Sequence, residues 1–170
     1  MLRHFVLMVL LVAWTSVPSW AQNYTAEELD TLVASIALYP DPLLTNVLVS
    51  STFPDQVQAA YDFVIRDSHP DVSSQGWDPS VKAICDYPDV LTDFGGSPDW
   101  VSGLGWAMTN QQPDVMDAVQ RFRFQAQVAG NLKTNDKMLV LEEGTTIRIE
   151  SASPEVIYVP SYQPEVVTQV

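Results

Sequence analysis

The chain has 170 residues, with 21 Asp and Glu against 8 Lys and Arg, so its formal net charge is −13 at neutral pH. Contacts to phosphate need a basic surface, and this balance therefore argues against DNA, RNA and anionic lipid as partners. Cys85 is the single cysteine, which excludes an internal disulfide and is typical, in its apolar stretch, of a buried side chain.

The N-terminus has the pattern of a secretory signal peptide. A basic start at Arg3 precedes an apolar run over residues 5–14, and Ser19-Trp20-Ala21 has the small residues of a signal-peptidase site. The run is shorter than the roughly 20 apolar residues that a membrane-spanning helix needs. We therefore expect residues 1–21 to be removed, leaving one domain over 22–170 that is periplasmic or secreted and has no membrane anchor.

Proline is followed directly by aspartate six times. Proline fits the first turn of a helix, and an aspartate beside it lies near the free N–H groups and the positive end of the helix dipole. The pairs begin at residues 40, 54, 70, 88, 98 and 113. We expect each to begin a helix except the pair at 70, whose polar surroundings are typical of a loop. The alternative is that the carboxylates converge on a cation or a sugar.

The first three helices have clear start signals. Thr25-Ala26-Glu27-Glu28 is a capping box, and the apolar spacing after it predicts a helix that ends near Leu38. Asp41 is expected to cap a second helix with Pro42 at its first position. The pair at Pro54 then begins a third helix.

A polar loop over residues 67–76 precedes a fourth helix, which Asp78 is expected to cap. The pairs at 88 and 98 begin the next two helices, and their spacing resembles that of the pairs at 40 and 54. This similarity indicates either a weak internal duplication or recurring turn chemistry. The longest helix signal covers residues 113–129 and ends at Gly130. Arg121 and Arg123 lie outside its apolar stripe and are expected to snorkel to the solvent or to pair with nearby acids rather than to bind a ligand.

Three short segments near the C-terminus have the pattern of strands: residues 138–141, 146–150 and 156–159. Gly144 stands in the tight connection between the first two. We therefore predict an α+β fold, with a mainly helical body of short helices begun by Pro-Asp pairs and a small C-terminal antiparallel β-meander. The meander is too small to be stable alone and should pack on the helices.

Five sequence blocks together resemble a bacterial envelope family that is known only as a domain of unknown function, number 3300. The blocks are IALYPDPLL at 36–44, WDPSVK at 77–82, DAVQRFR at 117–123, GNL at 130–132 and VIYVPSYQP at 156–164. The resemblance covers nearly the whole chain after residue 21. It implies an exported protein of the bacterial envelope, and it implies no reaction, cofactor or catalytic residue.

Few residues point to a chemistry. His69 is the one histidine beyond the signal peptide, so a zinc site or a catalytic triad built on histidine is not expected. No phosphate-binding loop and no calcium-binding loop matches the sequence. Paired carboxylates can hydrolyse glycosides, but among 21 acids a suitable pair arises by chance.

Tyrosine and tryptophan are the more informative residues, because flat rings with polar edges bind sugars and proline-rich peptides. The candidate contact residues are Tyr39, Asp41, Trp77, Tyr87, Trp100, Tyr158 and Tyr162. The alternative is that these rings pack in the core and turns. We interpret the chain as a non-enzymatic binding or scaffolding module of the cell envelope, with a protein or glycan partner and no cofactor. A hydrolase of an envelope polymer that uses Asp or Glu, and a structural cation site, are the alternative hypotheses.

Overall fold

The computed structural model describes residues 23–66, 70–153 and 156–169. The predicted signal peptide and His69 lie outside these residues. Among the described residues, no helix combines the length and the apolar character that crossing a membrane requires.

The described part of the chain forms seven helices, a two-stranded hairpin and a short final helix, so the α+β prediction is confirmed. The elements are α1 (Ala26–Val33), α2 (Asp41–Ser50), α3 (Pro54–Val64), α4 (Pro79–Ile84), α5 (Pro88–Gly95), α6 (Pro98–Asn110), α7 (Gln112–Val128), β1 (Met138–Glu143), β2 (Thr146–Ser151) and α8 (Pro164–Val167). The helices enclose one apolar core, and the hairpin packs on α2 and α7.

The predicted helix starts are confirmed. Five Pro-Asp pairs begin α2, α3, α5, α6 and α7, and the pair at 70 lies in a loop. Thr25 forms the capping box with Glu28, and the Asp78 carboxylate accepts a hydrogen bond from the Ser80 N–H at 2.9 Å. The first helix ends at Val33, earlier than predicted, and turns lead from there to Tyr39.

The predicted third strand is wrong. Among residues 23–66, 70–153 and 156–169, β1 and β2 alone form an antiparallel pair, and Val156 makes one isolated bridge to Ser153. The outer edge of β2 is already occupied, because the N–H of Ile147 donates to Gln120 Oε1 at 2.8 Å and the N–H of Ile149 donates to Asp41 Oδ1 at 3.3 Å. A third strand therefore has no free edge of β2 to pair with.

Arg123 joins the helical body to the hairpin. Its side chain is 2 % exposed and forms an ion pair with Asp41 at 2.7 Å. The same guanidinium donates to the carbonyls of Ala37 at 2.8 Å, Tyr39 at 3.1 Å and Ile147 at 2.8 Å. The predicted pairing with an acid is confirmed, but the predicted position outside the buried stripe is wrong. Burial lowers the pKa of Arg123, and the charge of Asp41 opposes this effect.

Asp41 therefore does not cap α2 as predicted. Pro40 is the N-cap residue, and no side chain makes a capping hydrogen bond there. The Asp41 carboxylate points instead to Arg123 and to the hairpin, because the buried guanidinium needs a counter-charge.

Arg123→Met should destabilise the protein by about 3–5 kcal/mol, because it removes the closest cation from the half-buried Asp41 carboxylate and leaves the carbonyls of Ala37 and Tyr39 without a side-chain donor. Arg121→Met is the matched control two positions away. Arg121 pairs with Asp30 at 2.6 Å, and both side chains are more than a third exposed. Its removal should cost less than about 1 kcal/mol. Urea unfolding of both variants measures the difference, and equal losses would contradict this account of Arg123.

Candidate functional site

Three of the seven candidate contact residues, Tyr39, Trp100 and Tyr162, line one cleft of about 750 Å³. The cleft lies between the turn that follows α1, helix α5, the start of α6 and the C-terminal segment around residues 159–162. Its lining residues are Ser35, Tyr39, Asp89, Val90, Thr92, Asp93, Gly96, Ser97, Trp100, Val159, Pro160, Ser161 and Tyr162. We call this the aromatic cleft.

The other aromatic candidates lie outside this lining. Trp77 packs edge-to-face on Phe63 with 5.6 Å between the ring centroids. Tyr87 is the N-cap residue of α5 and is half-buried. The Lys137 Nζ lies 4.4 Å from the ring centroid of Tyr158, which places that ring beside the segment that leads into β1.

In the aromatic cleft, the polar atoms of Trp100 and Tyr162 are already used. The Trp100 Nε1–H donates to the Leu32 carbonyl at 2.8 Å. The Tyr162 hydroxyl donates to the Ala34 carbonyl at 2.8 Å and accepts from the Leu38 N–H at 3.2 Å. Both rings are half-buried. They are therefore fixed in position and present mainly carbon surface to the cleft.

Tyr39 differs from these two rings. It is 8 % exposed, and its hydroxyl has no hydrogen-bond partner among the described residues. Burial, together with the negative charge of Asp93, raises the pKa of Tyr39 to about 12. The hydroxyl is therefore neutral at physiological pH and can both donate and accept a hydrogen bond.

The raised pKa of Tyr39 predicts an alkaline loss of stability. The unfolded chain ionises this tyrosine near its ordinary value of 10.0, whereas the folded chain retains the proton to about pH 12. The stability is complete below pH 10 and is lost as the pH rises through that interval. In Tyr39→Phe the free energy of unfolding should fall less steeply between these two pH values. Denaturant unfolding at several pH values measures the slope, and an unchanged slope would contradict the prediction.

Six polar side chains line the aromatic cleft without a hydrogen bond or ion pair to the described part of the protein. They are four hydroxyls and two carboxylates: Ser35, Thr92, Ser97, Ser161, Asp89 and Asp93. All six are exposed. No lysine or arginine is in the lining, so the cleft is negatively charged. These groups are free to bind a ligand.

The sequence analysis missed Asp93, Thr92 and Ser97, and considered Asp89 only as one member of the Pro-Asp pairs. The sequence of α5 does contain a pattern that could have indicated these residues. Residues 89, 92 and 93 fall at helical spacing on one face, and the opposite face carries the buried residues of this helix, such as Phe94. This polar face was not recognised as a site because a polar helix face is normally solvated.

A second concavity of about 460 Å³ lies between α2, α6, α7 and β2, and Asp41 lines it. Its floor is apolar, with Leu48 and Met116 among its members. Arg148 stands at its rim and pairs with Glu150 at 2.6 Å. Asp41 binds Arg123 here and so has a structural role, while its predicted role as a contact residue stays a prediction.

The Pro-Asp carboxylates have different environments. Asp41 binds Arg123, and Asp89 lies in the aromatic cleft. Across the described ranges, no group of three or more His, Cys, Asp or Glu side chains could hold a metal ion. The structure therefore offers no support there for the structural cation site that was one of the hypotheses.

Fold and cleft define a small α+β protein whose helical body carries a negatively charged cleft lined with aromatic rings. The chain belongs to the family described as protein of unknown function (DUF3300), whose model matches residues 25–169. This confirms the family resemblance found in the sequence.

The chain is also 35% identical to the uncharacterized protein YacH of Escherichia coli (strain K12) over 183 aligned positions. The alignment covers 85% of this chain and 30% of YacH, so the chain spans less than a third of that relative's length. No solved structure matches the chain.

Proposed function

We propose that this protein is an exported, non-enzymatic binding module of the bacterial envelope and that it binds a glycan in the aromatic cleft. One observation carries the proposal. Six unpaired hydroxyl and carboxylate groups surround rings whose own polar atoms, in Trp100 and Tyr162, are bonded to the backbone. Export is supported by the signal-peptide pattern of residues 1–21, and it makes the protein periplasmic or secreted.

The chemistry of a sugar matches this lining. A sugar ring has a face of C–H groups that packs on aromatic carbon, and its edge carries hydroxyls that need hydrogen-bond partners. Trp100 and Tyr162 supply the aromatic carbon, while Thr92 on α5 and Ser97, which precedes α6, supply hydroxyls. The volume of about 750 Å³ is in the range of binding sites for small ligands.

The charge of the cleft restricts the glycan. Asp89 and Asp93 bring two carboxylates, and the lining contains no cation. A polymer rich in carboxylate or phosphate would be repelled, so a neutral or cationic glycan is favoured.

A protein partner that adds a strand to the hairpin is less well supported. The outer edge of β2 is occupied, as described above. On the outer edge of β1, the Val140 N–H donates to Thr134 Oγ1 at 2.9 Å, and Asn135 bonds both the N–H and the carbonyl of Met138. These contacts block the edge that strand addition needs.

Binding to insoluble glycan tests the proposal. The chain from residue 22 onward should sediment with chitin, which is neutral, and more weakly with purified peptidoglycan, whose peptides carry carboxylates. The double variant Thr92→Ala with Ser97→Ala should bind about thirtyfold more weakly, since each of the two lost hydrogen bonds costs about 1 kcal/mol. Neither residue makes a side-chain hydrogen bond to the part of the chain that the structure describes, so the fold should be unaffected.

Ser102→Ala is the control for this test, because Ser102 is an exposed hydroxyl on α6 that is not in the lining. It should bind like the parent chain. Failure of the folded protein to sediment with either polymer would contradict glycan binding, and parental binding by the double variant would contradict the assignment of the cleft.

A carboxylate-dependent hydrolase is the second candidate, because Asp89 and Asp93 line the same cleft. Glycoside hydrolysis uses one carboxyl as acid and another as nucleophile or base. New reducing ends from chitin or peptidoglycan, lost in both Asp89→Asn and Asp93→Asn, would establish this activity. Binding without new reducing ends would leave the binding module as the function.

A further inference from the structure

We propose that Asp89, Asp93 and Tyr39 form a subsite for a protonated amine, so that the preferred glycan carries free amino groups rather than acetylated ones. This inference rests on the proposed function and names the ligand class of the same cleft. It predicts a selectivity that glycan binding alone does not require.

The two carboxylates are the first observation. Asp89 and Asp93 are four positions apart on α5, which places them one turn apart on one face of the helix. Neither makes an ion pair or a hydrogen bond with the described residues. Like charges at this spacing destabilise a helix slightly, and a bound cation would remove that repulsion.

Tyr39 is the second and independent observation. Its side chain is more than nine-tenths buried, it lines the cleft, and its hydroxyl has no partner among the described residues. The hydroxyl oxygen itself is accessible to solvent, because among the described residues Ser151 Oγ is the one fully buried side-chain oxygen or nitrogen without a partner. A ligand that binds in the cleft can displace that solvent and bond the hydroxyl of this otherwise buried side chain.

The geometry of an ammonium group fits this set of atoms. A protonated amine has three N–H donors and no acceptor. Asp89, Asp93 and the phenol oxygen of Tyr39 supply three acceptor groups in one lining, and the half-buried ring of Trp100 adds an aromatic surface that attracts a cation. An acetylated amine loses the charge and brings a carbonyl oxygen toward the carboxylates, so it should bind more weakly.

The test compares two oligosaccharides of equal length, a glucosamine tetramer and an N-acetylglucosamine tetramer, in mildly acidic buffer where the free amine is protonated. Calorimetric titration of the chain from residue 22 onward should show about tenfold tighter binding of the glucosamine tetramer, as expected for a charge-assisted hydrogen bond. The preference should weaken as salt is added, because the carboxylates are exposed.

Asp89→Asn with Asp93→Asn should remove the preference and leave binding of the acetylated tetramer within about twofold. Asp55→Asn with Asp99→Asn is the matched control, since it removes the same net charge from exposed positions on α3 and α6 that are not in the lining. It should keep the preference. Tyr39→Phe, which has nearly the same shape, should reduce the preference in part.

The outcomes separate the two proposals. If the Asp89/Asp93 variant retains the preference, or the parent chain binds both tetramers equally, the amine subsite is wrong and glycan binding stands. If the folded parent chain binds neither tetramer and no insoluble glycan, both proposals are wrong. If a short oligolysine binds as tightly as the glucosamine tetramer, the amine subsite stands and its assignment to a glycan is overturned.

Discussion

The buried guanidinium of Arg123 holds together parts of the chain that are distant in sequence. It binds the Asp41 carboxylate at the start of α2, the carbonyls of Ala37 and Tyr39 in the preceding turn, and the Ile147 carbonyl in the hairpin. The turn and the hairpin edge both contain backbone groups that no regular ladder satisfies, and buried groups of this kind must be bonded. One planar cation with five donors meets this need where a hydrophobic side chain could not.

Arg123 also fixes the turn between α1 and α2, which forms one wall of the aromatic cleft. Tyr162 binds the same turn, because its hydroxyl donates to the Ala34 carbonyl and accepts from the Leu38 N–H. Tyr39 belongs to the same turn, so its buried ring takes its position from both contacts. The C-terminal segment is therefore a wall of the site rather than a strand, and the site depends on residues from both ends of the domain.

Two Pro-Asp pairs show how the same local signal acquires different roles. The pairs at 40 and 88 each follow a tyrosine and each begin a helix. Asp41 meets a buried arginine and becomes structural, whereas Asp89 meets no cation among the described residues and remains free in a cleft. The helix start is a property of proline's dihedral angle and of the free N–H groups, which are local. The use of the carboxylate depends on what the fold brings beside it.

The sequence alone determined the α+β class, the family, the start of each longer helix and the glycine turns, because capping, proline geometry and apolar periodicity act within a few residues. The tertiary structure decided which residues form the site. It brings the candidates Tyr39, Trp100 and Tyr162 into one cleft. It also places Asp93, Thr92 and Ser97 there, which were not among the candidates. It also buried Arg123 and prevented the third strand by occupying the edge of β2. The Tyr162 contact to Leu38 joins residues 124 positions apart, and no local pattern encodes a contact of that separation.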